Sequence, residues 1–187
     1  MIKNKEDYLK YISYEEDKMH TSYPHFTKEK EQILRFIKLY RKLEYYTNCH
    51  PKSFYLKYLN YKYNKLSNKY NFYLPINIID KGLCIVHIGP IYINKYAKIG
   101  KDLRIHPMTT IGKSIGKGHA CPTIKNGVWI GPGARIYGNI VIGNNVAIGA
   151  NSVVTKSIPN NVTVGGVPAK IINHKGYTNY YKEDIYE

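Results

Sequence analysis

The second half of the chain places a branched apolar residue at every sixth position: Ile93, Ile99, Ile105 and Ile111, then Ile124, Ile130, Ile136, Ile142, Ile148 and Val154. A six-residue period fits neither the 3.6 of a helix nor a single hairpin. It fits a solenoid of short strands in which every turn offers one side chain to a shared core. Two residues earlier stands a second inward candidate, as strand alternation requires: Ala97, Leu103, Thr109, Val128, Ala134, Ile140, Val146 and Ser152. The residue just after is Asn94, Gly100, Gly112, Gly131, Gly143 or Gly149, types that accept the positive φ of a sharp corner. Three such strands close one triangular coil, so residues about eighteen apart should stack at a strand spacing of roughly 4.8 Å.

Two places break the phase. From Ile85 to Ile93 the step is eight, across His87-Ile88-Gly89-Pro90, and from Ile111 to Ile124 it is thirteen, across a basic loop from Gly112 to Thr123. Insertions in repeat proteins tend to map to functional surface. Both breaks carry a histidine, His87 and His119.

Ahead of the repeats the period changes. Ile33, Phe36, Ile37, Tyr40 and Leu43 recur at helical spacing within Thr27 to Tyr46, and a second helix is expected to open at Pro51 and run through Phe54, Tyr58, Leu59, Tyr63 and Leu66. The tyrosines are expected to pack between helices with wet hydroxyl tips. The reading is a mainly β protein: an α-helical module over 1–72, a parallel β-helix over 73–172 and a polar tail over 173–187.

Composition narrows the function classes. The 187 residues suffice for one core and a small second module. No stretch approaches the roughly 20 apolar residues of a membrane span. The start, Met1 to Asp7, is charged and lacks an apolar signal core, which predicts a cytoplasmic protein that can work near the inner membrane face. Cys49, Cys84 and Cys121 are scattered, which fits reduced thiols and argues against a zinc ribbon. The formal charge is +15, and eight of thirteen acidic residues lie at or before Glu44 and three at or after Glu183, leaving only Asp80 and Asp102 between them. So basic a solenoid could attract nucleic acid, anionic lipid or an anionic small molecule. No nucleic-acid motif accompanies the lysines, so the charge reads as solvated background with a steering role.

Three segments carry a resemblance. Gly82-Leu-Cys-Ile-Val-His87-Ile-Gly-Pro-Ile-Tyr-Ile-Asn94, the stretch Lys125-Asn-Gly-Val-Trp-Ile-Gly-Pro-Gly-Ala-Arg-Ile-Tyr-Gly138, and Val164-Gly-Gly-Val-Pro-Ala-Lys-Ile171 together resemble the serine acetyltransferase branch of the hexapeptide-repeat acyltransferases. The resemblance implies a left-handed β-helix, acetyl-coenzyme A as cosubstrate with no metal, and a trimer or dimer of trimers with active sites between neighbouring prisms. It implies His87 as the general base that takes the acceptor's hydroxyl proton, a task that suits an imidazole near neutrality. It puts a substrate-side histidine near Cys121, with His119 two residues away. It also implies that pantetheine passes small residues on the later coils, for which Gly131, Gly133, Ala134 and Ala150 are candidates, and that Lys156 and Lys170 meet the phosphates. His106 stands where a corner glycine or asparagine is usual, one coil from His87. That makes it a candidate second polar group for the acceptor, or a corner histidine without a role.

The chain also departs from that family. The aspartate that precedes the base and helps hold serine is Val86 here, and the upstream aspartate that orients the base falls in Asn71 to Pro75, which has no acid. Asp80 is the nearest acid in sequence to His87. These losses point to a sugar hydroxyl of a surface polysaccharide or its precursor, with L-serine as the alternative acceptor. Two further classes stay open: a zinc carbonic anhydrase using His87, His106 and His119, and a non-catalytic solenoid.

Overall fold

The structure is a computed structural model and describes residues 1–22, 27–115, 118 and 120–178. Three helices come first: α1 (Lys5–Ser22), α2 (Lys28–Cys49) and α3 (Phe54–Tyr70). The side chain of Thr27 caps α2 by accepting from the Lys30 amide, Ser53 caps α3 likewise from Tyr55, and Asn71 closes α3 in the left-handed region at φ 58°. α3 therefore begins three residues after Pro51, which lies in the turn before it.

Short parallel strands then build three walls. The first holds β4 (Lys98–Ile99), β7 (Thr123–Ile124) and β10 (Val141–Ile142). The second holds β2 (Cys84–Ile85), β5 (Arg104–Ile105), β8 (Trp129–Ile130), β11 (Ala147–Ile148) and β13 (Thr163–Gly165). The third holds β1 (Phe72–Tyr73), β3 (Ile91–Ile93), β6 (Thr109–Gly112), β9 (Arg135–Tyr137) and β12 (Val153–Val154). A last strand, β14 (Lys170–Asn173), turns back antiparallel onto β13.

The register follows the repeat. Ile93 stacks on Ile111, Ile136 on Val154 and Ile130 on Ile148, each eighteen residues on, whereas Ile105 to Ile130 and Ile111 to Ile136 span twenty-five across the loop. Ile85 stacks on Ile105, twenty residues on, across the His87 break. Every sixth-position residue from Ile93 to Val154 is buried, and so is its partner two residues before. The insertions leave at corners, so the interior never loses phase.

One buried charge cluster fastens the helices to the first coil. Arg41 is fully buried and uses all five guanidinium donors: Nε and one Nη on Glu15 (2.9 and 2.6 Å), and the rest on Glu44 (2.7 Å) and the carbonyls of Ile79 (2.8 Å) and Asp80 (2.7 Å). The second carboxylate oxygen of Glu44 accepts from the Asn77 amide at 2.6 Å. Removing one partner of such a set strands the others without countercharge. Arg41→Ala is therefore expected to destabilise the fold by about 3–5 kcal/mol, read as a lower denaturation midpoint, and Arg41→Lys to recover only part of it. A midpoint unchanged in Arg41→Ala would show that water satisfies the cluster.

One helix has no counterpart in the sequence reading, and one expectation needs correction. α1 has no hydrophobic signature, because its buried positions Tyr11, Glu15 and Met19 include a carboxylate. Phe54 and Tyr58 do not pack into the helical layer: they face solvent, and Leu59 with Leu39 and Leu43 makes the contact between α2 and α3.

Candidate active site

The corner between the second and third walls collects most of the predicted residues. Successive coils meet there through one ladder of amides: Val86 donates to Ile105, His106 to Ile130, Gly131 to Ile148 and Gly149 to Val164, at 2.8 to 3.1 Å. His87 and His106 thus stand on adjoining coils at one end, with Gly131, Gly133 and Ala150 further along the same corner. A Cβ on Gly131 would lie 2.8 Å from the Ala150 amide nitrogen, so coil packing alone demands glycine there. Ala134 is fully buried in the interior, which accounts for its size without a ligand.

The remaining candidates lie elsewhere. Lys170 is exposed on β14, at the far end of the same corner. Cys121 and Lys156 belong to the corner between the third and first walls, from which the long loop also leaves. Cys121 is buried, and burial pushes its thiol up despite the nearby Lys113, so it stays protonated at neutral pH. His119 lies outside the described residues.

His87 is clamped by two consecutive residues of α2. The carboxylate of Glu29 accepts from the Ile88 amide at 2.9 Å and meets His87 Nδ1 at 3.1 Å. Lys30, itself buried, donates to the carbonyl of Val86 on the other side. A carboxylate only accepts, so this partner assigns the proton to Nδ1 and leaves the Nε2 lone pair free. The His87 side chain is 57% exposed, so that lone pair can be reached from solvent. Burial pushes the Glu29 carboxyl up, but the Ile88 amide and His87 more than offset it and hold it below the usual carboxylate range.

Sequence reasoning missed Glu29. It sits 58 positions from His87, in the charged run Lys28-Glu29-Lys30-Glu31 that reads as a solvated first helical turn. Its only signal was that position, where a carboxylate also favours the helix dipole. Asp80 is engaged elsewhere, accepting from the Tyr11 hydroxyl at 2.5 Å and the Lys81 amide at 2.8 Å.

His106 is held differently. Its Nδ1 faces the Ile130 carbonyl at 2.9 Å and must donate to it, so Nε2 again keeps its lone pair. The ring meets Trp129 edge-on, 4.8 Å between centroids. Burial, joined by the positive charges of Arg104 and Lys30 and by the neighbouring His87 ring, holds its pKa below the ordinary imidazole value although the Ile130 carbonyl pulls the other way. Below an unfolded value of about 6.5 the unfolded chain therefore takes up a proton that the folded chain resists. Stability from this group is full above that range and declines as pH falls through it. The expected result is that His106→Asn loses less stability than the parent chain between about pH 7 and 5, measured by denaturant titration. Equal losses would contradict it. Among the described residues, no three His, Cys, Asp or Glu side chains gather as ligands for a metal ion.

Comparison with known proteins agrees with this geometry. The family model described as bacterial transferase hexapeptide (six repeats) matches residues 121–156. The serine acetyltransferase of Buchnera aphidicola subsp. Acyrthosiphon pisum is 36% identical over 151 residues, covering 79% of this chain and 53% of the relative. The chain spans about half the length, or less, of the curated relatives it matches. Among solved structures, serine acetyltransferase from Brucella abortus strain S19 superposes with a TM-score of 0.75 at 27% identity, over 92% of this chain and 71% of that one. The same protein in complex with coenzyme A gives 0.73 at 25%, over 92% and 70%.

Fold and repeat make this a left-handed parallel β-helix behind a helical module. Its repeats are similar to those of bacterial hexapeptide transferases, and the chain as a whole is serine acetyltransferase-like.

Proposed function

We propose that this chain transfers an acetyl group from acetyl-coenzyme A to an alcohol, with His87 as general base. The observation that carries the reading is the Glu29 carboxylate on His87 Nδ1, which leaves an exposed basic Nε2 on the corner with the small residues. In this scheme Nε2 takes the hydroxyl proton as the oxygen attacks the thioester carbonyl. Glu29 steadies the imidazolium that forms. The tetrahedral intermediate then expels the coenzyme thiolate, which recovers the proton from His87, and acetyl ester and free thiol leave.

L-serine is the acceptor to test first. The named relatives are serine acetyltransferases, and Glu29 supplies from α2 an orienting acid of the kind that the resemblance puts at Phe72. This moves the weight away from the sugar hydroxyl expected from the sequence. The sugar reading keeps one specific observation: Val86 and Phe72 are apolar and buried where the resemblance places acids, so neither position supplies a carboxylate to hold an ammonium in the family's manner, and Glu29 is taken up by His87 and the Ile88 amide. Release of free thiol should be followed with L-serine and with oligosaccharide or nucleotide-linked sugar acceptors. Serine turnover with kcat/KM on the order of 10⁴ M⁻¹ s⁻¹ or more supports the first reading. Inert serine beside active sugars supports the second, and silence with all acceptors removes the acyltransferase assignment.

A trimer belongs to the same proposal. His87 and His106 occupy one corner of the prism, while Cys121, Lys156 and the loop occupy another, so a groove containing both needs a neighbouring copy. The expected finding is a trimer or a multiple of it by light scattering, with activity confined to that species. An active monomer would sink this part.

A further inference from the structure

α3 has two faces of opposite character. Leu59 is buried and Leu56, Tyr63 and Leu66 pack with it toward the protein, as an amphipathic helix requires. On the opposite side Phe54, Tyr58, Tyr61 and Lys65 stand at i, i+4, i+7 and i+11, one line along the helix. Phe54 is 89% exposed, Tyr61 64% and Tyr58 50%. Lys57 flanks this line on one side, and Lys62 and Lys69 on the other, all exposed. Not one acidic residue lies between Glu44 and Asp80. Among the described residues, none of these four lysines has a salt bridge; Lys69 lies over the Tyr70 ring at 5.6 Å.

We propose that this face of α3 docks the protein on an anionic lipid surface. An exposed phenylalanine and a row of tyrosines are unfavourable against water yet suited to a membrane interface, where an apolar ring is covered and a phenolic hydroxyl stays wet. Lysines flanking the row reach head-group phosphates on either side, which adds electrostatic attraction to the buried ring area. Tyr55 stiffens the surface, stacking on Tyr58 at 5.5 Å with Lys42 above its own ring at 5.1 Å. Charge selects the occupant. A second copy of the face would bring lysines against lysines around the seam, an arrangement that is repulsive, so a partner of opposite sign fits better. No helix of the described residues is long and apolar enough to cross a membrane, so the attachment is peripheral.

The test is flotation of the full chain with vesicles of phosphatidylcholine alone, or of phosphatidylcholine with phosphatidylglycerol. The expected result is flotation with the anionic vesicles only, reversed by high salt. Two separate variants, Phe54→Ser with Tyr58→Ser and Tyr61→Ser, and Lys57→Glu with Lys62→Glu, Lys65→Glu and Lys69→Glu, should each weaken the partition by about tenfold or more. Their circular dichroism and elution volume should stay unchanged. Three outcomes of flotation and sizing overturn the proposal, and a competition experiment supplies a fourth. The three are no flotation with anionic vesicles, flotation undiminished in both variants, or a lower oligomeric state in the aromatic variant, which would make the face a contact between copies. Competition by soluble polyglutamate at the strength of the vesicles would likewise replace the lipid by an acidic protein.

Discussion

His87→Ala is expected to lower turnover by about two to four orders of magnitude while coenzyme A binding and the melting temperature hold. The side chain projects from the break between β2 and β3, is more than half exposed, and among the described residues gives its ring to Glu29. Its loss therefore opens no cavity and strands no buried charge. What disappears is the group proposed to remove the hydroxyl proton during attack on the thioester. Thiol release under saturating substrates, with a calorimetric coenzyme A titration on the same sample, checks both halves. Acetylation near the parent rate would remove His87 from the chemistry.

Glu29→Gln should reduce kcat by about a hundredfold with KM for acetyl-coenzyme A nearly unchanged. The amide keeps the size of the carboxylate, and its oxygen can still accept from Ile88, so the clamp on the break survives. Its nitrogen, however, donates. Facing His87 Nδ1 it favours the tautomer with the proton on Nε2, and the base loses the lone pair that it needs. A purely structural Glu29 would be rescued by glutamine, so the variant separates the two roles. Nitrogen NMR of the imidazole gives an independent readout of the tautomer. The sign of the pH effect follows from the depressed pKa of Glu29: its stabilisation is complete above the unfolded carboxylate value and fades as pH falls through the lower folded value. Glu29→Gln should lose that acid-side dependence of stability. Parent-like kcat in a folded Glu29→Gln chain would assign orientation of His87 to some other group.

The solenoid is legible in the chain because its core is filled by one kind of side chain at one spacing, from Ile93 to Val154. Strand and insertion are local consequences of that spacing, but the corner reading needs correction. The left-handed residues are not those just after the core positions but those two further on, Asp102, Met108, Gly133, Asn145 and Asn151, and Gly131 is glycine because a Cβ there would meet the next coil. α2 is legible for the same reason, through Ile33, Phe36, Ile37 and Tyr40. α1 is not, since its inward side presents Glu15 to Arg41, and a buried ion pair leaves no mark in hydropathy. The proposed base is legible only through resemblance, because a lone histidine in a break has many uses. Its partner is not legible at all: Glu29 reaches His87 through the docking of α2 on the first coil, a tertiary fact that no spacing encodes. The outward turn of Phe54 and Tyr58 was hidden by the opposite error, in which apolar residues at helical spacing are taken for core. Asp80 illustrates how closeness in sequence misleads, since the corner turns its carboxylate toward Tyr11.

The clamp from Glu29 and Lys30 ties catalysis to a layer that is not part of the solenoid. Stacked coils share one core along their whole length and should resist opening together, whereas the helical layer joins that core at one end, through Met19, Ile33, Phe36, Ile37 and Tyr40 as well as through Arg41 and its acceptors, and can lift as a separate cooperative unit. On heating, acetyl transfer should then fade before the β-helix melts, with amides of α2 exchanging with solvent ahead of those in β8 and β11. The proposed activity would thus carry a thermal fuse: a perturbation that frees α2 silences His87 while every coil stays wound.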